Sequence, residues 1–254
     1  MNKKYELAVN LQQDFTTEEQ AQGRANIGAV SAADVELAIL SYASLAPRTL
    51  RFTFSKMDYD PTVAGVGRSG TWKKVSAKFH NVWDWTASGT SFANAFESAF
   101  ASSDNLVSVI AAGDTSAVTD MGVMFASCTS LTSIPLFDTS AVTNMGSMFT
   151  ACTSLTNVPL FDTSAVTDMQ YTFAGCTSLT SIPLFDASAV PNMRYTFAGC
   201  TKVEGGALAL YQQASTQSIP PSEHERTFDN CGKDTVTGAA ELAQIPASWG
   251  GTAP

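Results

Sequence analysis

Few residues in this chain have the types and spacing that catalysis needs. The 254 residues include two histidines, His80 and His224. The one candidate nucleophile pair in the sequence is His224 with Cys231, since an imidazole can activate a thiol. Cys231, however, lies at the cysteine position of a repeat, so a structural role also explains it. The string that begins at His224, His-Glu-Arg-Thr-Phe, lacks the second histidine of a zinc-protease helix. No nucleophile elbow, phosphate loop or dinucleotide fingerprint occurs, so we predict a protein that is not an enzyme and uses no cofactor or metal.

The cysteines follow a period instead of a redox or metal-binding motif. Four of them lie 24 residues apart: Cys128, Cys152, Cys176 and Cys200. If successive repeats lie side by side in register, neighbouring Cα atoms are about 5 Å apart, within disulfide reach. Parallel side chains would strain the S–S dihedral, and an intracellular origin favours thiols. We therefore predict buried free thiols, with disulfides between neighbours as the alternative.

A second column with the same period is acidic. Asp114, Asp138, Asp162 and Asp186 each open a string of small polar residues. Asp, Ser and Thr are the residue types that cap free N–H groups at a helix start, so capping explains each aspartate. A cation that bridges two neighbouring carboxylates is the alternative.

A 24-residue repeat explains both columns and predicts the fold. The string Asp138-Thr-Ser-Ala-Val-Thr-Asn-Met145 recurs with small changes in the neighbouring repeats, and about six units with atypical ends fill residues 89–235. A unit this short cannot shield its own apolar side, which is buried only when copies stack. The pattern therefore predicts an α/β solenoid, a leucine-rich-repeat-like stack of coils.

Each unit is predicted to contain a short helix and a short parallel strand. Val142, Met145, Met148 and Phe149 share one face at helical spacing. The alternating leucines and isoleucine of Leu131–Leu136 predict a strand with one face inward, which proline limits to two or three paired residues. The predicted structural core consists of three columns: Met121, Met145, Met169, Met193, Phe125, Phe149, Phe173, Phe197, Cys128, Cys152, Cys176 and Cys200.

The two residues after each core methionine vary between repeats, and we predict that they face outward. In the third and fourth repeats they are Gln170 with Tyr171 and Arg194 with Tyr195. Tyr171 and Tyr195 would then be neighbours one repeat apart. An exposed aromatic pair suits contact with a glycan or a protein, whereas the plainer interpretation is that each side chain covers the adjacent repeat.

The repeat resembles the BspA-type leucine-rich repeats of bacterial surface proteins and their phage relatives. The residues that carry the resemblance run from Phe137 through Met145, Met148 and Phe149 to Leu155, and it extends over about residues 83–250. The resemblance implies a surface for binding or display and no fixed ligand.

The N-terminal residues 1–46 have a different character and are predicted to form a helical anchor and oligomerisation segment. Apolar residues at helical spacing, Val35, Ile39 and Tyr42 among them, would be buried by pairing between chains or by packing on the repeats. Residues 16–29 resemble a segment common in phage fibre and head-fibre proteins, through Arg24, Asn26 and Ile27 in particular. That resemblance implies an oligomeric particle appendage, with a trimer favoured.

Residues 47–88 are predicted to form a β-rich cap or linker on the first repeat. Leu50–Phe54 alternates cleanly, and Trp72–Trp85 is a longer strand-like run that supplies the bulk needed at an open end. Residues 236–254 are predicted to form the C-terminal cap and tail.

Composition excludes several partners. The chain is 44% hydrophobic and 15% charged, with a formal net charge of −9. An acidic chain repels phosphate backbones, so we expect no nucleic acid partner. No apolar run reaches the roughly 18 residues of a membrane span, and no secretory signal is recognisable, so we expect no membrane insertion.

These features together predict a phage virion structural protein, a head fibre, tail fibre or capsid-decorating protein. The N-terminus would attach to other virion proteins and form a homotrimer. The repeats would face outward for adhesion to host-surface glycans or proteins, on a particle assembled in the host cytoplasm. The alternative is a bacterial cell-surface leucine-rich-repeat adhesin.

Overall fold

The second of two units of this chain contains all the secondary structure described here. The chain divides into Met1–Leu45 and Ala46–Pro254. The structure, a computed structural model, describes residues 45–55, 60–62, 67–75, 82–97, 107–188, 190–218 and 220–253. The helices predicted within residues 1–46 lie outside these ranges. Within them, no helix is both long enough and apolar enough to cross a membrane.

A five-stranded mixed sheet begins the described structure. Its strands are β1 (Thr49–Phe54), β2 (Gly70–Lys74), β3 (Val82–Ala87), β4 (Val107–Ala112) and β5 (Leu131–Ser133). They lie in the order β2-β3-β1-β4-β5. Three pairings are antiparallel and the last, β4 with β5, is parallel. The run predicted over Trp72–Trp85 is thus divided between two paired strands, β2 and β3.

The sheet buries aromatic side chains on one face. Leu50, Phe52 and Phe54 alternate into the core from β1, as their spacing predicts. The Trp85 ring is fully buried and meets the Phe96 ring edge-on, with the centroids 4.7 Å apart. Edge-to-face contacts of this kind are favoured by the aromatic quadrupole.

Backbone hydrogen bonds join each 24-residue repeat to the next. The N–H groups of Met145, Ser147, Phe149 and Ala151 donate to carbonyl oxygens of the following repeat, at 2.7–2.9 Å. Matching bonds join the preceding repeat to this one, and isolated parallel bridges such as that between Asn144 and Asp168 lie on the same ladder. A single repeat would leave these donors and acceptors unpaired, so its backbone depends on its neighbours.

The short helices predicted inside the repeats are wrong. Two successive turns stand in their place: the Met148 N–H donates to the Met145 oxygen, and the Cys152 N–H donates to the Phe149 oxygen. Ser147 and Ala151 have left-handed φ values of 57° and 58°, which stop a right-handed helix from propagating. Two turns bring residues three and four apart to the same side, which is why the apolar spacing is similar to that of a helix.

Among the described repeats, only the two nearest the N-terminus contain a strand at the predicted position, β4 and β5, which pair in parallel with Val107 opposite Leu131. β5 covers Leu131–Ser133, and the equivalent segments of the later repeats show one isolated bridge, between Ser181 and Gly205. Pro135, Pro159 and Pro183 occupy the same position in successive segments and have no N–H to donate to a ladder, so β5 ends before its proline.

The predicted inward orientation of the last leucine in this segment is also wrong. Leu136, Leu160 and Leu184 are 63%, 58% and 53% exposed. The phenylalanine that follows each of them is buried instead. After the proline, the inward and outward positions along the chain are exchanged. The leucine therefore faces outward, and the larger phenylalanine side chain that follows it is buried.

Two columns of phenylalanine rings fill the interior of the repeats. Neighbouring centroids are 5.2–6.1 Å apart in the first column, which contains Phe96, Phe125, Phe149, Phe173, Phe197 and Phe228. They are 6.0 and 6.4 Å apart in the second, which contains Phe137, Phe161 and Phe185. The columns alternate every 12 residues between Phe125 and Phe197. Periodic buried Phe and Cys of this kind are typical of a repeat domain.

Helices occur among the described residues only after the regular repeats. They are α1 (Ala207–Ser215) and α2 (Val236–Leu242), followed by a 3₁₀ turn at Ala247–Trp249. Thr235 caps α2 by accepting the Gly238 N–H at 3.0 Å. The Trp249 ring lies 6.4 Å from the Phe228 ring and ends the first phenylalanine column.

Candidate binding surface

All twelve side chains predicted for the structural core are buried in the structure. They are at most 1% exposed: Met121, Met145, Met169, Met193, Phe125, Phe149, Phe173, Phe197, Cys128, Cys152, Cys176 and Cys200. The binding candidates Gln170, Tyr171, Arg194 and Tyr195 retain solvent exposure. The predicted interior and the predicted surface are therefore separate places in the repeats.

One column of surface residues shares an unusual backbone conformation. Its members, which we call the left-handed column, have φ values of 55–59°: Asn94, Val123, Ser147, Tyr171, Tyr195 and Arg226. This conformation costs an L-residue roughly 1–2 kcal/mol. The ladder compensates for it, because column N–H groups donate to the following repeat, as Tyr171 does to the Arg194 oxygen at 2.9 Å. The column is thus held in place by backbone bonds that leave its side chains free to vary.

Tyr171 and Tyr195 form a stacked pair on this column. Their ring centroids are 4.7 Å apart and their planes differ by 7°. The Arg226 guanidinium lies 5.3 Å from the centroid of Tyr195, a cation–π contact. The hydrogen bond to the Tyr195 hydroxyl, and then Asp229, raise the pKa of Arg226. Tyr171 itself is 36% exposed.

Arg194 lies beside this stack and is held by two carboxylates. Its Nε is 3.1 Å from a Glu225 oxygen, a distance at which charge attracts although the N–H is not aligned for a hydrogen bond. Its Nη1 is 3.6 Å from Glu223. Exposed pairs of this kind contribute about 0–1 kcal/mol, so their effect is to orient Arg194.

A polar column precedes the left-handed column by three residues, and sequence reasoning missed it. It consists of Asp120, Asn144, Asp168 and Asn192. Each Oδ1 accepts the backbone N–H two residues later, at 2.8–3.2 Å. The Asn144 Nδ2 also donates to the Asp120 Oδ1 at 3.0 Å. Because an amide lies between successive carboxylates, like charges are kept apart along the ladder. The alternation of Asp and Asn every 24 residues is the sequence feature from which this column could have been predicted.

The predicted helix-capping role of the other aspartate column is wrong, because no helix follows it. Asp138 accepts the Ser140 N–H at 3.1 Å and the Ser140 hydroxyl at 2.6 Å, which forms an Asx turn. Equivalent serine contacts, the hydroxyl first and then the backbone N–H, lower the pKa of Asp114, Asp162 and Asp186. Within the described part of the chain, no group of three or more His, Cys, Asp or Glu residues could hold a metal ion.

The five cysteines are free and buried. Cys152, Cys176 and Cys200 donate S–H to phenylalanine oxygens of the preceding repeat at 3.0–3.1 Å. Burial raises the pKa of Cys231 to about 12, which withholds the thiolate that a nucleophile needs. The His224 ring stacks on Trp249, with the centroids 4.4 Å apart. The contacts of His224 and Cys231 are therefore those of structural residues.

The predicted anchor residues are not among those that the structure describes. Arg24, Asn26, Ile27, Val35, Ile39 and Tyr42 all lie outside the described residues.

The contact of Arg226 with Tyr195 was missed at the sequence level because an insertion breaks the 24-residue period before Arg226. Its signal was the echo of the repeat at Phe228-Asp-Asn-Cys231.

Comparison with known protein families gives a match that falls on the repeats. No curated protein and no solved structure matches the chain. Residues 90–211 match the model of a leucine-rich-repeat-like family, described as "Mycoplasma protein of unknown function, DUF285".

Proposed function

We propose that this protein is a structural component of a phage particle, a fibre or capsid-decorating protein that displays its repeats for adhesion. Residues 1–46 attach it to other virion proteins and hold it as an oligomer, with a trimer favoured. The repeats face outward and contact host-surface glycans or proteins. Neither catalysis nor a cofactor is part of this proposal.

The ladder between repeats supports a solenoid of leucine-rich-repeat type as the display body. N–H groups such as those of Ser147 and Tyr171 are satisfied only by the following repeat. Stacked repeats therefore stabilise one another, and surface side chains can change without loss of the backbone bonds. In this solenoid, paired turns replace the short helices.

The exposed stack of Tyr171 on Tyr195 is the observation that carries the adhesive part of the proposal. Aromatic residues at the surface combine a large apolar face with a polar hydroxyl and are enriched where proteins bind partners. Here the rings are fixed by each other and by Arg226. A fixed surface loses little conformational entropy when it binds.

The second candidate is a bacterial cell-surface adhesin with the same repeats. The description of the matching family names Mycoplasma, and this favours a bacterial setting. The two candidates share the binding surface and differ in where the protein is carried.

Mass spectrometry of purified particles and of host envelope fractions separates the candidates. The phage proposal expects the protein in density-purified particles, and an antibody against the repeats should label intact particles. Detection in envelope fractions and not in particles would favour the adhesin. Light scattering on the full chain then tests assembly, and a strict monomer at high concentration would contradict the oligomeric anchor.

A further inference from the structure

We propose that Tyr171 and the surface next to it bind one neutral hexopyranose residue of a glycan. The inference rests on the proposed adhesive function and specifies its ligand.

The ring faces of the tyrosine pair are unequally covered. Tyr195 has Tyr171 on one face, 4.7 Å away, and the Arg226 guanidinium 5.3 Å from its centroid. Among the described residues, Tyr171 has Tyr195 stacked on one face and no ring or cation on the other. Its other face is directed towards the preceding repeat, where the column holds Ser147. Within the described residues the aromatic stack therefore ends at Tyr171, whose side chain is 36% exposed.

The space next to that face is bounded by small residues. Ser147 occupies the column position, and Gly146 occupies the place that Gln170 and Arg194 take in later repeats. Neighbouring rings along the repeats are about 5 Å apart, since Tyr171 and Tyr195 are separated by 4.7 Å. A ring seated over Ser147 would thus lie at stacking distance from Tyr171. We call this position, over Gly146 and Ser147, the shelf.

Polar oxygens border the shelf. A Cβ placed on Gly146 would lie 3.1 Å from the Asn144 Oδ1 and 3.2 Å from the Asp168 Oδ2. The Asn144 Oδ1 accepts the Gly146 N–H and keeps a second lone pair. The Gln170 N–H donates to the Asp168 Oδ1, so the Asp168 Oδ2 keeps its lone pairs. Both oxygens can accept hydrogen bonds from hydroxyl groups of a ligand seated there. A carboxylate among them disfavours an anionic ligand.

A hexopyranose fits this combination of features. The C–H groups on one face of the sugar ring carry partial positive charge and stack on the negative face of an aromatic ring. Its hydroxyls donate to the oxygens around Gly146. A nucleobase could also stack on Tyr171, but its phosphate would meet the acidic surface of this chain, whose net charge is −9.

The test titrates the full chain with methyl glucoside, methyl galactoside and methyl mannoside, using saturation-transfer NMR and calorimetry. We expect at least one to bind with a dissociation constant on the order of 1 mM. Methyl sialoside is the anionic control and should not bind. The inference is wrong if none of the neutral glycosides binds at about 50 mM, well above that constant, or if only the sialoside does.

Tyr171→Ala is the decisive variant, because it removes the ring on which the sugar would stack. Ala151 already occupies a left-handed position with φ of 58°, so alanine is accepted in this conformation and the variant should fold, as thermal unfolding would verify. We expect Tyr171→Ala to weaken binding by about tenfold, the loss of one stacked ring, and Tyr171→Phe to retain it. Binding unchanged in Tyr171→Ala would overturn the inference.

The results also separate the two proposals. Protein found in particles without glycoside binding would refute the shelf and leave the virion function intact. Glycoside binding that depends on Tyr171, with the protein absent from particles, would refute the virion function and retain the shelf.

Discussion

The Sγ of Cys176 donates a hydrogen bond to the backbone oxygen of Phe149, 3.1 Å away in the preceding repeat. Burial raises the pKa of this thiol from 9.0 to about 12. The unfolded chain loses the proton near pH 9, while the folded chain keeps it to about pH 12. The stability that depends on the neutral thiol is therefore complete below pH 9 and is lost as pH rises from 9 to about 12.

Cys176→Ser tests this dependence, because a serine hydroxyl can accept and donate without titrating in this range. We expect the variant to lose less stability than the wild-type chain between about pH 8 and pH 11. Urea denaturation of both chains in the presence of a reductant measures the two slopes. Other groups titrate equally in both chains, so parallel curves would contradict the assigned role of the thiol.

The left-handed position four residues after Ser147 gives a second prediction. Ala151 has φ of 58°, while Gly175 and Gly199 occupy the same position with φ of 73° and 75°. Ala151→Gly removes about 1–2 kcal/mol of strain from the left-handed conformation of the folded chain. Glycine also raises the conformational entropy of the unfolded chain, which offsets part of this gain. We expect a net gain of about 0.5–1 kcal/mol in the free energy of unfolding.

Gly175→Ala is the matched control and should lose a similar amount. The nearest atom to a Cβ on Gly175 would be the Ala151 Cα at 3.6 Å, an ordinary contact, so the cost comes from the backbone conformation. Urea denaturation of both variants gives the comparison. A destabilised Ala151→Gly together with a neutral Gly175→Ala would refute the strain argument.

The two leucines of one repeat should respond in opposite ways to truncation. Leu155 is fully buried and Leu160 is 58% exposed. Leu155→Ala removes core packing and should cost about 2–5 kcal/mol. Leu160→Ala should change the free energy of unfolding by about 0.5 kcal/mol or less, which thermal and chemical denaturation can distinguish. Equal losses would mean that Leu160 is covered in solution.

The sequence was sufficient for the repeat and its interior, and it failed where the backbone leaves the common conformations. A strict period fixes which residues are equivalent, so the Met, Phe and Cys columns could be named without coordinates. Helical spacing around Phe149 misled the prediction, because paired turns with left-handed residues at Ser147 and Ala151 bring the same side chains inward. Nothing in the types Ser and Ala indicates positive φ, since glycine and asparagine are the usual signals.

The binding candidates illustrate the same limit. Variation after the core methionine was enough to place Tyr171 and Tyr195 at the surface as neighbours. The offset between the backbones of neighbouring repeats determines how the two rings stack. It also determines that Arg226 lies over Tyr195 and that Ser147 is the next residue along the stack. That offset follows from the hydrogen-bond ladder, which a sequence pattern does not specify. The outward orientation of Leu160 was not predicted for a related reason. Beyond Pro159 the inward and outward positions are exchanged, so Phe161 is buried in place of Leu160.

The alternation of acid and amide in the polar column yields the last prediction. Asn144 stands between Asp120 and Asp168 and donates its Nδ2 to the Asp120 Oδ1 at 3.0 Å. Asn144→Asp would remove this donor and place three carboxylates next to one another along the ladder. Adjacent like charges on paired backbone segments are destabilising, so we expect a loss of about 1 kcal/mol at neutral pH.

The pH dependence of this loss separates charge from shape. Repulsion raises the pKa of clustered carboxylates, so the folded variant takes up protons more readily than its unfolded chain. The penalty should therefore shrink as pH falls from about 6 to about 4, and salt should reduce it at neutral pH. Asn144→Leu, nearly equal in size and uncharged, is the control and should show neither response. A loss in Asn144→Asp that is the same at both pH values and at both salt concentrations would mean that the alternation serves hydrogen bonding and not charge separation.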